Sequence, residues 1–562
     1  MVNLVRFIFC TCLLFFLLPV HSYAQQKKYK CVSAADSLLV EQSIKNQISL
    51  YRSKGYWDVS YTQSFVKNKA VVIYNKGPKY VWTKVEFVGL DNNLSLAKEW
   101  NNKQWFNSEI NPEPFFRKIL NYYDQNGHPY ASISFQDVRI DSNRISAQIL
   151  LDEGPRVTID SINLKGNVKL APSYLYGYLG LRPGKVFDGQ RFKMADRLLR
   201  DLPFIELTQP TETWLTDSSA HLNIYAKKLN TSYFSGILGF QPGSGVNGRL
   251  QLTGDVSLKL WNILDHGEQI QLEWKRIANG TQSAHAYLMY PYIVGTPLAV
   301  WGEFDLFRRD TSFQTIEYGA GFDYLWYGNN KLRFGYIRQQ SRLIERAAYI
   351  ASKSLPPDMD VDWDKLNIAF DFGRYDYRLN PTKGFKILVQ FQPGIRRIRP
   401  ITELPDSLYK DFDLRSFQSY AYLEWEQYIR LNPKWTFYYQ SKWAYQYSKS
   451  RFYNDLLRIG GNNSLRGFDE ASIYTNGYAI ANTEIRFLFD RNSNVFVFAN
   501  GGFAEQALHS GYEANWLYGF GAGLRFGTKA GILNLAYGLG AKNREPIKFA
   551  NSKIHLGFTG VF

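Results

Sequence analysis

Beyond residue 24 the chain has no run approaching about 18 uninterrupted apolar residues, so it offers no candidate for a membrane-spanning helix. Its last ten residues nevertheless carry a lipid-type pattern. From Lys553 to Phe562, Ile554, Leu556, Phe558, Gly560 and Phe562 share one face of an extended strand, while Lys553, His555, Gly557, Thr559 and Val561 share the other. Alternation over roughly ten residues is the length and period of a strand tilted across a bilayer. An amphipathic strand of a soluble sandwich reads the same way, so the rest of the chain must decide.

The opening segment places the chain outside the cytoplasm. Arg6 is the only charge in residues 1–24, an apolar stretch runs from Phe7 to Val20, and Ser22-Tyr-Ala24 has small-x-small cleavage spacing. This is the pattern of a secretory signal peptide. Cys10 and Cys12 lie within it, which leaves Cys31 alone and no internal disulfide to form. Aromatic residues reach 16%, with 39 Tyr and 39 Phe, and Gly numbers 43. In a secreted chain these biases point to an outer-membrane barrel. The net charge of +16 then reads as a basic periplasmic or headgroup-facing surface, with no nucleic acid as partner.

The amino-terminal third repeats. Lys76-Gly-Pro-Lys-Tyr-Val-Trp-Thr-Lys-Val-Glu-Phe-Val-Gly89 recurs as Glu153-Gly-Pro-Arg-Val-Thr-Ile-Asp-Ser-Ile-Asn-Leu-Lys-Gly166, 77 residues later at both glycines. Tandem copies of one small domain follow. Apolar residues at i, i+3, i+4 and i+7 predict a helix over Pro114–Tyr123, then strands over Ala131–Ile140 and Arg144–Leu151. The first copy has its helix at Leu38–Tyr51 and a short or missing opening strand. Three copies are expected, at 28–79 (abbreviated), 80–155 and 156–229.

From 230 to 562 helical periodicity disappears, and sixteen candidate strands succeed one another. Bacterial single-chain barrels use even numbers of strands, with short turns on one side and long loops on the other. Connections after even strands are short turn chemistry, among them Asn262-Ile-Leu-Asp265, Val294-Gly-Thr-Pro297, Asn432-Pro433 and Asp490-Arg-Asn-Ser493. The long ones, Ser341–Asp362, Ile395–Asp413, Tyr447–Asn476 and Ala541–Asn551, all follow odd strands. The fold expected is a transmembrane antiparallel β-barrel of about sixteen strands, preceded by three small periplasmic α+β domains.

One long loop carries a motif. Gly460-Gly461-Asn-Asn-Ser-Leu465-Arg466-Gly467-Phe468 resembles the signature of the BamA/TamA family of outer-membrane β-barrel assembly factors, and the β-α-α-β-β repeats resemble that family's POTRA modules. Asn380-Pro381-Thr-Lys-Gly384 and Ala481-Asn-Thr-Glu484-Ile-Arg486 are similar to family segments as well. The resemblance implies that the loop folds into the barrel and that Arg466 pairs with acidic groups on the wall. Glu484 occupies one such position. The second, usually the Asp of Phe-x-Asp-x-Gly, reads Phe498-Ala-Asn500-Gly-Gly502 here, so an amide replaces the carboxylate. Arg466 is therefore expected to pair mainly with Glu484, a carboxylate that a guanidinium can engage through two parallel bonds, and to hydrogen-bond Asn500.

The resemblance also implies a lateral seam between the first and last strands, with Tyr233, Phe234 and Gly236 on one side and Gly557, Phe558 and Phe562 on the other. Unfolded outer-membrane proteins would be its clients and outer-membrane lipids its surroundings, and there is room for periplasmic or lipoprotein accessory subunits. A two-partner-type secretion pore shares the loop and the barrel and is the alternative. With seven His, no Gly-x-Ser-x-Gly elbow and no Cys/His cluster at ligand spacing, no catalysis, cofactor or transition metal is expected. Asp358, Asp360, Asp362 and Asp364 read as a solvated external loop, with calcium binding the minor alternative.

Overall fold

The computed structural model describes residues 32–33, 37–66, 69–88, 113–229, 232–242, 250–276, 281–326, 328–377, 380–461, 464–469, 471–508, 511–528, 531–543, 545–549 and 552–560. The expected signal peptide at 1–24 and the terminal Phe562 lie outside them.

Three small sheets come first. In the first, β1 (Val32–Ser33), β2 (Ser60–Val66) and β3 (Lys69–Asn75) pair in the order β1-β3-β2, with helix α1 (Ser37–Arg52) between β1 and β2. In the second, β4 (Val81–Val88) runs parallel to β6 (Arg144–Asp152), and β5 (Ser132–Asp141) pairs antiparallel on its far side after helix α2 (Glu113–Gln125). The third has β7 (Thr158–Gly166), helices α3 (Pro172–Leu179) and α4 (Gly189–Arg200), β8 (Ile205–Leu207), β9 (Glu212–Leu215) and β10 (Ser219–Lys228), with β7 parallel to β10.

The repeated Gly-Pro junction has one repeated geometry. Gly77 and Gly154 both sit at left-handed φ, 66° and 64°. At the first junction Tyr80 N–H donates to Gly55 O at 2.8 Å, and at the second Val157 N–H donates to Gly127 O at 2.7 Å. A shared backbone hydrogen bond and a shared turn thus explain why this pair of dipeptides recurs.

The remaining strands form one sixteen-stranded antiparallel sheet. They are β11 (Tyr233–Pro242), β12 (Leu250–Trp261), β13 (Gln269–Arg276), β14 (Gln282–Tyr290), β15 (Leu298–Arg309), β16 (Phe313–Leu325), β17 (Lys331–Leu343), β18 (Val361–Tyr375), β19 (Gly384–Ile398), β20 (Arg415–Arg430) and β21 (Trp435–Ser448). After a hairpin of β22 (Leu457–Ile459) and β23 (Ile473–Thr475) inside a loop come β24 (Gly477–Asp490), β25 (Ser493–Leu508), β26 (Gly511–Thr528), β27 (Gly531–Lys542) and β28 (Lys553–Gly560). Alternation sorts the two faces. Outward positions such as Leu272, Phe304, Phe322, Phe334, Phe370, Val497 and Phe520 are exposed and apolar, while their neighbours carry Asp323, Lys365, Asn482, Glu484 and Arg486 into the interior, all buried. That is the reverse of a soluble core and the pattern of a barrel in lipid.

The third repeat is seated on the short-turn side. Ala171 N–H donates to Asp265 O at 2.7 Å, Gly328 N–H to Tyr178 O at 2.9 Å, and Arg182 Nη2 to Gly295 O at 2.6 Å. Tyr292, from the turn after β14, is buried in the core of this repeat beside Tyr174. All three turns follow even strands, as the connection lengths predict.

Candidate functional site

The long loop between β21 and β24 enters the lumen in two parts. Its stem holds Asn454 and Asp455. Asn454 Nδ2 donates to Ser341 Oγ at 2.8 Å and to Met359 O at 2.7 Å, and its Oδ1 accepts from Met359 N–H at 3.1 Å. Asp455 pairs with Arg396, which is completely buried on β19. Around them the loops after β17 and β19 close an apolar cap of Leu343, Met359, Ile398, Ile401, Leu404, Tyr409, Phe412 and Phe452. The short helix α5 (Ala347–Ser352) lies in the first of these loops.

The tip is Gly460–Asp469. Gly460, Gly461 and Gly467 take φ of 118°, 91° and 95°, a region L side chains rarely adopt, which is why the motif is written in glycine. Ser464 Oγ bridges Gly460 N–H and O, and Leu465 is fully buried against Ile459, Ile473, Ile480 and Leu517. The backbone of Arg466-Gly467 lies on a glycine track. A Cβ on Gly519, Gly538 or Gly540 would come within 2.3, 2.9 and 2.6 Å of loop backbone atoms. Of this track the sequence showed only glycine abundance; its signal was the inward spacing of Gly519, Gly538 and Gly540 on two adjacent strands.

Arg466 Nη1 donates to Glu484 Oε1 at 2.6 Å, and its Nη2 to Asn500 Oδ1 at 3.2 Å. The structure thus brings the three expected residues together. The two-bonded fork on Glu484 is made by a different arginine. Arg525 on β26 grips both oxygens of Glu484, at 2.9 and 3.1 Å, and Arg486 Nε takes Oε2 at 2.7 Å. With those two already on the carboxylate, Arg466 shares Oε1 with Arg525 and gives its other nitrogen to the amide. Three guanidiniums therefore share one carboxylate, and each also lies over an aromatic ring. Arg466 is 4.0 Å from the Phe498 centroid, Arg486 4.3 Å from Tyr438 and Arg525 4.4 Å from Phe496. Cation–π attraction offsets part of the charge surplus that Asn500 leaves. Sequence reasoning missed Arg486 and Arg525. Arg486 was visible in parity, two residues from Glu484 on the same face; Arg525 enters only through the strand register.

Beyond Arg466 the tip reaches the last strand. Gly467 N–H donates to His555 Nε2 at 3.2 Å, and Asp469 pairs with Lys553 at 2.8 Å. Both partners belong to β28, whose Ile554 points outward and is exposed.

The Omp85 superfamily domain matches residues 262–558. The chain belongs to the Omp85 superfamily. No curated protein sequence matches it. Among solved structures, CdiB from Acinetobacter baumannii is similar at a TM-score of 0.51 and 14% identity, covering 95% of this chain and 99% of that one. CdiB from Escherichia coli gives 0.50 at 14% identity, with 94% and 99% covered. BamA from Haemophilus ducreyi lacking POTRA domains 1-3 gives 0.42 at 18%, with 85% and 99% covered. At these identities the two CdiB likenesses are ones of fold.

As an Omp85 barrel the chain resides in the outer membrane, with its amino-terminal repeats in the periplasm. Of the seam residues, Tyr233, Phe234 and Gly236 lie on β11, paired with β12 along its whole length, and Phe234 is exposed. Gly557 and Phe558 lie on β28, paired with β27. Among the described residues no ladder joins β11 to β28. The aspartate run is corrected. Asp358, Asp360 and Asp362 are buried, and the reading as a solvated loop fails. The calcium alternative fails with it, because arginines occupy the carboxylates: Arg346 takes Asp360, Arg342 and Arg399 take Asp362, and Arg397 takes Asp364.

Proposed function

We propose that this Omp85 protein inserts β-barrel proteins into the outer membrane through a seam between β11 and β28. Unfolded barrel proteins are its clients, and periplasmic or lipoprotein subunits its accessory partners. The observation that carries the reading is the tether between the lumenal tip and β28, Gly467 to His555 and Asp469 to Lys553. It links the docked state of the loop to one edge of the seam. A strand edge released there presents unpaired backbone groups to an incoming strand, the physics of β-augmentation. The mechanism requires no covalent chemistry.

The second reading is a two-partner-type secretion pore, favoured by the likeness to CdiB over 94 and 95% of this chain. Disulfides engineered between 233–242 and 553–560 separate the two. Under the insertion reading, locking the seam abolishes insertion of a barrel client into liposomes, and reduction restores it. Insertion unaffected by the lock defeats the seam. During depletion, a broad fall in outer-membrane barrels supports insertion, whereas loss of one secreted protein with the barrels intact supports the pore.

A further inference from the structure

Outward parity places an arginine cluster on the lipid side of the barrel at its external rim. On β17, β18 and β19 the outward apolar positions Phe334, Tyr336, Leu366, Phe370, Val389 and Phe391 give way towards the long-loop side to Arg338, Arg342, Asp362, Asp364 and Arg397. Cross-strand register aligns them in rows. Tyr318 faces Arg338, which faces Asp364; one row further out, Asp362 faces Arg397, which faces Arg415. Arg399 joins from the following loop through Asp362.

These rows do not balance. Five guanidiniums surround two carboxylates. Asp362 is fully buried beneath Arg342, Arg399 and Arg338, and Asp364 is held by Arg397, Arg338 and the hydroxyl of Tyr336 at 2.6 Å. Arg397 and Arg415 stand directly opposite each other, an arrangement that costs stability unless an anion lies between them. Arg415 is exposed with no ion-pair partner among the described residues, and the Nε of Arg338 is buried without a hydrogen-bond acceptor. The network is preorganised by its aspartates yet left positive. Tyr318 and Phe417 flank the row of Arg338 and Asp364, and Tyr336 and Tyr447 lie one row towards the membrane, all exposed outward, the aromatic girdle that marks headgroup depth.

We propose that this surface binds the phosphates of a phosphorylated glycolipid in the outer leaflet. Guanidinium forks suit phosphate oxygens, and the girdle below would receive the first methylenes of the acyl chains. The inference depends on the outer-membrane location of the barrel and not on whether it inserts or secretes.

Native mass spectrometry of the full chain, titrated with bisphosphorylated lipid A or with phosphatidylethanolamine, tests it. The wild type is expected to prefer lipid A by at least about tenfold, the scale of one charge-assisted hydrogen bond. The double variant R397Q/R415Q should lose that preference, and K434Q, on a periplasmic turn, should keep it. In the double variant Asp364 retains Arg338 and Tyr336, so the wall remains satisfied. Should that variant nevertheless fail to fold, R415Q alone is read the same way, because it breaks no internal ion pair among the described residues. Undiminished lipid A preference in the variant overturns the proposal. So does displacement of lipid A by inorganic phosphate at equal concentration, which would make the cluster a free-phosphate site.

Discussion

The lumenal loop is held at two places by buried arginine–carboxylate contacts, and the two are built differently. At the stem, one arginine meets one aspartate. Arg396 is completely buried, its Nε and Nη1 have no hydrogen-bond acceptor, and Asp455 is its carboxylate. At the tip, three arginines meet one glutamate, and only Arg466 comes from the loop. When the tip leaves, Glu484 keeps Arg525 and Arg486, and the wall stays satisfied. When the stem leaves, Arg396 loses its counter-ion beside an apolar cap. The stem is thus built as a fixed anchor and the tip as a docking contact that can release.

The first way to break this comparison is to remove the carboxylates. Glu484→Gln leaves two buried cations, Arg466 and Arg486, and the half-buried Arg525 without a counter-ion, and is expected to have the largest effect, about 3–5 kcal/mol in barrel stability. Folded yield and heat-modifiable mobility should fall together. Asp455→Asn strands one cation, so its cost is smaller and confined to the stem. Limited proteolysis should then cut the loops at 344–360 and 399–414 while the tip remains protected. If instead the two variants fail alike, the asymmetry between tip and stem is wrong.

Arg466→Ala sharpens it. Because Glu484 keeps two partners, barrel stability should change by only about 1.5–3 kcal/mol, the scale of one charge-assisted hydrogen bond. The tip, by contrast, should become cleavable by protease, and a crosslink from residue 469 to residue 553 should weaken. Arg466→Lys restores charge without the two-armed geometry that spans Glu484 and Asn500, and should recover protection only partly. A tip as resistant as the wild type in Arg466→Ala would mean that the glycine track and Leu465 hold it without the ion pair.

How far the sequence could be read follows from which signals are local. Strand period and connection length are local, so the sixteen strands and their orientation are legible in the sequence alone. Gly460, Gly461 and Gly467 announced unusual backbone, and Arg466, Glu484 and Asn500 were found together through family resemblance. What could not be read depends on register between distant strands. Arg525 lies 41 residues from Glu484 and reaches it only because β26 faces β25, which faces β24. The aspartate run misled for the same reason. Four aspartates in seven residues look solvated until β17 and β19 bring arginines beside them. The cap is likewise assembled from three loops, and no single one carries its apolar pattern.

The smallest expected effect concerns that cap. Asp358, in the external loop after β17, is buried with its Oδ1 unpartnered, and burial pushes its carboxyl up to about 6. Asp455 and Asp310 add to the shift, and Arg309 opposes it. A carboxyl raised in the folded state favours the neutral form there. Its contribution to stability is therefore fully present below the unfolded value of about 4 and is lost as pH rises through about 6. Hydrogen exchange of residues 344–360 should accordingly be slower at pH 5 than at pH 7.5 after correction for intrinsic rates. Asp358→Asn should remove the difference by bringing protection at pH 7.5 up to the pH 5 level, with no change at the tip. A tip that responded to Asp358→Asn as strongly as the cap would show that the two anchors act as one body, and the division between fixed stem and releasable tip would fail at its mildest test.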